Sequence, residues 1–271
     1  FEDLVAYGGW TMDDHHPAGF RAAKIGAPAT IHYAAPSPYG IPYRSLYSKN
    51  VENLMFAGRC ASCTHAAMSS TRVMGTACSM GQAVGTAAAL AVKRGLVPRG
   101  VGAHVRELQQ MLLRDDCYLP WTKQEFGPLT RESKLVASQG DPEPVRDGVS
   151  RQVGDDPHCW TARPGDSIAY VFGGVREVGE VTLILDSAME MNIALSHLHG
   201  GRRLTTVPAV MPKRFRIEGL ASGAWTPVAD VRDSHQRLVR AHVGRPLEGV
   251  RFVLDETWGA EQSRVYAFYL D

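Results

Sequence analysis

Four titratable residues stand together near the start of the chain, Asp13, Asp14, His15 and His16, bracketed by Trp10 and Pro17. Imidazoles beside carboxylates can pass protons near neutral pH, so this cluster is a candidate for general acid–base work, although a solvated turn has the same composition. A second candidate is the stretch NLMFAGRCASCTHAAMSSTRVMGTACSMGQAVGTAAALA, from Asn53 to Ala91. Gly75, Gly81 and Gly85, with Ala77, Ala83 and Ala88, strip side chains from a helix and its entry, so something comes close to that backbone. Either another element packs against Gly81 and Gly85, or a cofactor lies at the entry. There the free N–H groups near Val73 to Thr76 and the positive end of the helix dipole favour an acceptor. Cys60 and Cys63 have the spacing of a zinc knuckle, but no second pair completes a tetrahedral set, and no metal site is expected. His197 and His199 alternate along a strand pattern without a third ligand and are read as a polar face.

The elements that must position these residues can be read from periodicity and punctuation. Gly8-Gly9, Pro17, Pro28, Pro38, Gly40 and Pro42 leave room only for short strands in the first fifty positions. Asn53 to Gly58 reads as a short buried strand, Ser70 to Lys93 as one long helix ended by Gly95, and about Gly102 to Arg114 as a second helix with Val105, Leu108, Met111 and Leu112 on one face. Gln139 to Pro144 reads as a polar linker. Beyond it, runs at 167–172, 178–185, 214–218, 224–231, 238–243, 250–254 and 264–269 alternate as strands of an antiparallel β-sandwich, jelly-roll-like, with the last run buried on both faces. Trp225 and Trp258 are expected to fill its core. The fold class is therefore α+β, with one domain over residues 1–138 and another over 145–271.

Composition bounds the function. A chain of 271 residues, 44% hydrophobic and 21% charged, is neither disordered nor fibrous. A formal charge of +1 leaves no overall electrostatic footprint for nucleic acid. Val73 to Val92 lacks charge, yet its Gly, Ser, Thr and Gln content makes it a poor membrane span, so no membrane partner is expected. Five cysteines without a regular framework suggest free thiols in a reducing, cytoplasmic setting. The chain opens on Phe1 without an initiator Met, which reads as a trimmed or processed start.

The order Ala57-Gly58-Arg59, a loop with Ser62 and His65, then Ser70-Thr71-Arg72-Val73-Met74-Gly75-Thr76 and Gly81-Gln82-Ala83-Val84-Gly85-Thr86-Ala87-Ala88 resembles the C-terminal FAD-binding segment of the FAD-dependent oxidoreductase family. The flavin domains of that family are similar to those of glutathione reductase and succinate dehydrogenase. Gly9 to Pro17 and Tyr39 to Leu46 also resemble that family. The resemblance implies FAD as cofactor and hydride transfer between a small polar substrate, a sugar-like molecule among the candidates, and flavin N5. It places Val73, Met74, Gly75 and Thr76 at the N1 and C2=O edge, and Gly58 and Arg59 along the ribityl chain or pyrophosphate. His65 and Arg72 fall where the succinate dehydrogenase relatives carry substrate-facing residues, with Asp13, His15 and His16 as further catalytic candidates. Relatives often carry an acid where Arg59 stands. No G-x-G-x-x-G turn occurs in the sequence, so a missing dinucleotide-binding half is expected, in the same polypeptide or a second chain, and this chain alone should be inactive and bind FAD weakly. The C-terminal region resembles galactose-binding modules in architecture. The rival reading is a non-catalytic glycan-binding module in which the glycine-rich helix is scaffold.

Overall fold

A computed structural model describes residues 1–34, 37–191, 204 and 206–271. His197 and His199 lie outside the described residues. The chain is mixed α/β and divides into two compact units, Phe1–Lys123 and Gln124–Asp271. The division falls ahead of the proline-marked stretch, because Lys134–Ala137 hydrogen-bonds into the sheet of the second unit. Val145 is buried in that unit's core, so 139–144 is no free linker.

In the first unit, β1 (Leu4–Gly8) pairs antiparallel with β4 (Tyr39–Pro42), and β2 (Met12–His15) with β3 (Thr30–Tyr33). Helices α1 (His65–Thr71), α2 (Met74–Arg94) and α3 (Val105–Arg114) follow. Met80, Ala83, Ala87, Leu90 and Ala91 form the buried side of α2, packed with Leu4, Val5 and Ala6 of β1 and Leu108 and Leu112 of α3. Gln109 is buried with them and donates from Nε2 to the Leu4 carbonyl at 2.9 Å and the Glu2 carbonyl at 3.0 Å, which satisfies its amide while tying α3 to β1. Gly95 ends α2 in the left-handed conformation, φ 63°, in keeping with its position after Lys93 and Arg94.

The single helix expected from Ser70 to Lys93 is in fact two. Arg72 closes α1 and Val73 is extended, with φ −76° and ψ 151°. The Ser70 hydroxyl bonds out to the Trp10 carbonyl at 2.6 Å, and β-branched Thr71 and Val73 flank the break. The expected strand at Asn53 to Gly58 also fails to form beyond one bridge between Met55 and Tyr47. A buried strand needs neighbours on both edges, and only the Tyr47 segment reaches this one.

The second unit holds α4 (Pro128–Glu132), β5 (Lys134–Ala137), β6 (Trp160–Ala162), β7 (Ser167–Leu185), β8 (Pro212–Ala221), β9 (Ala224–Val231), β10 (Leu238–Thr257) and β11 (Ser263–Leu270). The strands join in the order β6-β11-β7-β10-β8-β9, with β5 also on β7, all antiparallel. What reads in sequence as four separate runs is two long strands, β7 and β10. Each passes a bend, at Gly173-Gly174 in β7 and at the register shifts near Arg245 and Gly249 in β10, so the sheet folds over one core. That core takes Trp160, Tyr170, Phe215, Phe252 and Phe268. The last strand is buried on both faces, but a bulge between Val265 and Ala267 regroups its side chains. Val265, Phe268 and Leu270 face one cluster, while Tyr266, Ala267 and Tyr269 face another. Among the described residues no helix is long and apolar enough to cross a membrane.

Candidate functional site

The break between α1 and α2 creates the first part of the site. The first helical bond of α2 runs from the Ala77 N–H to the Val73 carbonyl at 2.9 Å, so the N–H groups of Met74, Gly75 and Thr76 have no acceptor within the helix. Val73 offers no side-chain cap. These residues, with Val73 and Ser79, face Tyr7, Gly8, Gly9 and Trp10 across a cavity of about 430 Å³. A Cβ on Gly75 would meet nothing within 4 Å, so the missing side chain leaves open space there. The opposite wall is bare for another reason. A Cβ on Gly8 would lie 2.5 Å from the Tyr39 ring, so a larger residue there would have to displace the Tyr39 side chain. The Ser70 hydroxyl fixes the two walls together, donating to the Trp10 carbonyl and sharing a 2.5 Å hydrogen bond with the Tyr39 hydroxyl.

A second cavity of about 370 Å³ is lined by Asp13, His15, Arg59, His65, Met68, Ser69 and Arg72. The β2–β3 hairpin sets its acids and imidazoles. Asp13 stands across from His32, which it holds at 2.7 Å, and His15 across from Thr30, whose hydroxyl lies 3.1 Å from Nδ1. His65, the first residue of α1, places Nε2 2.8 Å from the Asp14 carboxylate and 3.0 Å from the His15 carbonyl. Among the described residues the Arg72 guanidinium reaches only the Asp13 carbonyl, at 3.4 Å. Arg59 has no ion-pair partner among the described residues, so two guanidinium groups meet one lining carboxylate that is already engaged by His32. Gly58 carries φ 62°, and its Cβ would come 3.3 Å from that of Ala77, which seats the Gly58–Cys60 turn against α2.

The residues expected from sequence thus separate into two adjoining groups. Val73, Met74, Gly75 and Thr76 share one cavity, and Asp13, His15, Arg59, His65 and Arg72 share the other. His16 belongs to neither. It is half-buried in the turn after β2, where Nδ1 accepts from the Ala18 N–H at 3.1 Å. Sequence reasoning missed Tyr7, Gly8, Gly9 and Trp10 as a wall. The signal was the glycine pair directly after an apolar strand. It also left Asp14 without a separate role, because only the fold brings His65 to it.

A methyl group added at Gly81 or Gly85 would meet nothing within 4 Å, so the alternative of tight packing against these two glycines finds no neighbour among the described residues. The five cysteines are free thiols, and among the described residues no group of three His, Cys, Asp or Glu could hold a metal ion. In the second unit Trp225 and Trp258 are half-buried, contrary to the core role expected of them. Each is held at the surface by polar groups. Arg251 lies 4.4 Å over the Trp225 ring, while Trp258 stacks on His235 at 4.9 Å and donates from Nε1 to the Ser234 carbonyl at 2.8 Å.

Residues 1–112 match the family described as FAD dependent oxidoreductase. The likeness to that family covers this part of the chain and does not extend into the second unit. No curated protein matches the chain. Among solved structures, similar folds include the family 32 carbohydrate-binding module from Streptococcus pneumoniae EndoD, at 12% identity over 53% of this chain and 97% of that one, with a TM-score of 0.39. The family 32 module from C. perfringens NanJ in complex with galactose matches at 12% identity over 51% of this chain and 93% of that one, with a TM-score of 0.37. At these scores the reading of the second unit rests on its own strands.

Proposed function

We propose that the first unit is the C-terminal part of an FAD-dependent oxidoreductase that oxidises or reduces a small polar organic substrate. The observation that carries this reading is the open cavity at the entry of α2, where three backbone donors lack acceptors and the Gly75 wall is bare. That donor set fits the electron-rich edge of an isoalloxazine ring, because N–H groups at a helix start stabilise negative charge. When bound, the flavin exchanges a hydride with the substrate at N5. Met74, Gly75 and Thr76 would hold its N1 and C2=O edge, Val73 ends the preceding turn so that these donors stay free, and Gly58 with Arg59 would lie along the ribityl chain or pyrophosphate. A guanidinium at Arg59 donates to oxygen and suits a phosphate. In the neighbouring cavity His65, with His15 and Asp13 beside it, would take the proton of a substrate hydroxyl, and Arg72 would hold a substrate carboxylate or the alkoxide charge that develops as that proton leaves. Polypeptide outside these residues supplies the pyrophosphate turn, since no G-x-G-x-x-G occurs here.

Gly75→Leu in the longest natural polypeptide containing this sequence tests the reading. Its Cβ would meet nothing within 4 Å and the rest of the side chain would occupy the cavity, so thermal stability is expected to hold within about 0.5–1 kcal/mol while the flavin absorption band is lost. A wild-type protein without that band, or a Gly75→Leu variant with full flavin content, would overturn it. Glycan binding by the second unit is a second reading, favoured by the half-exposed Trp225 and Trp258. Retention on immobilised sugar that disappears in Trp258→Ala would support it.

A further inference from the structure

The two ring nitrogens of His65 have different surroundings. Nε2 faces two acceptors, the Asp14 carboxylate at 2.8 Å and the His15 carbonyl at 3.0 Å. A carbonyl oxygen can only accept, so Nε2 must carry a hydrogen to satisfy both contacts. Nδ1 has no partner among the described residues, while the ring itself lines the cavity that holds Arg59 and Arg72. We infer that Asp14 is a positioning residue that fixes His65 as the Nε2–H tautomer and thereby makes Nδ1 the atom that receives the substrate's proton. This deepens, and rests on, the oxidoreductase reading for its chemical purpose, but the tautomer itself does not.

The hairpin explains why Asp14 and not Asp13 has this part. Alternation along β2 turns Asp13 and His15 to one side, where Asp13 is taken by His32 and His15 by Thr30, and leaves Asp14 to α1. The charged or titratable groups around the ring are Asp13, Asp14 and His15 from β2, Arg72 from the end of α1, and Arg59 from the turn at Gly58–Cys60, with Asp13 already engaged by His32. In the step proposed, the substrate O–H bond breaks, its proton passes to Nδ1, and the carbon-bound hydrogen leaves with the electron pair as hydride to FAD. His65 becomes an imidazolium whose second N–H already points at a carboxylate, so the new charge is stabilised where it forms.

The test reads the tautomer directly. Long-range proton–nitrogen correlation spectra of the ¹⁵N-histidine-labelled chain, with His65 assigned by its disappearance in His65→Gln, are expected to show the neutral ring with Nε2–H dominant by roughly tenfold, as a hydrogen bond to a charged acceptor supports. Asp14→Ala is expected to return the ring to a mixture of the two tautomers. A wild-type ring carrying its hydrogen on Nδ1 would overturn the inference without any variant being needed. An unchanged spectrum in Asp14→Ala would overturn it too, because the His15 carbonyl would then suffice. Neither result depends on flavin content, so failure of the tautomer and failure of the flavin reading are separately visible.

Discussion

Single side chains in this protein are placed by partners distant in sequence, and Tyr43 shows the energetic consequence. It is fully buried in the first unit and donates its hydroxyl to the Pro98 carbonyl at 2.7 Å. Burial, aided by the nearby Tyr47, pushes its pKa up from 10.0 to about 12. The folded form therefore keeps its proton where the unfolded chain has lost it, so this group's contribution is intact below about pH 10 and declines as pH rises towards 12. Tyr43→Phe should cost about 1 kcal/mol near neutrality and flatten the alkaline fall in stability. Urea titrations at pH 7, 10 and 11.5 would check both, and an equally steep fall in the variant would refute the assignment. Arg44 next to it is a different case, an exposed guanidinium paired with the Asp3 carboxylate at 2.6 Å, and such surface pairs contribute little. The site residues were recognisable by type and spacing as far as chain-local features go. His65 beside Arg72, and glycine at 75, could be seen. The Asp14–His65 contact and the Trp10 wall could not, since each joins parts some fifty or more positions apart.

Elements were legible where one period dominates. The spacing of Val105, Leu108, Met111 and Leu112 marks α3, and β9 runs from Ala224 to Val231 as its alternation indicates. The break before α2 was hidden because Ser, Thr and Ala hardly disfavour helix, and a hydrogen bond from Ser70 to a remote carbonyl decided the outcome. The long strands were hidden too, since Gly173-Gly174 and the segment from His242 to Gly249 look like turns in one dimension and act as bends in a continuous ladder. Gly249 shows how tightly such a bend closes. A Cβ there would lie 2.7 Å from the Tyr170 carbonyl oxygen, a backbone atom that cannot swing aside. Gly249→Ala should therefore destabilise the second unit by about 1–3 kcal/mol. Denaturant midpoints followed by tryptophan fluorescence would show the loss, and an unchanged midpoint would mean that the strand relaxes freely.

At the scale of the molecule, composition anticipated two bodies but placed the boundary too late, because Lys134–Ala137 looked like the tail of the first body and is a strand of the second. Residues 124–271 expressed alone should fold cooperatively with Trp160 shielded from quenchers, whereas a fragment beginning at 145 would lose β5 and expose Leu135's partners in the core. Iodide quenching of the two fragments distinguishes them, and equal protection would place the boundary back at the prolines. The doubled length of β7 and β10 carries one more consequence. Since the same two ribbons run through both halves of the sheet, neither half can peel off while the other survives. A molecule pulled from its ends should therefore resist in this unit with a single rupture, without a resting stage in which half of the fabric remains woven.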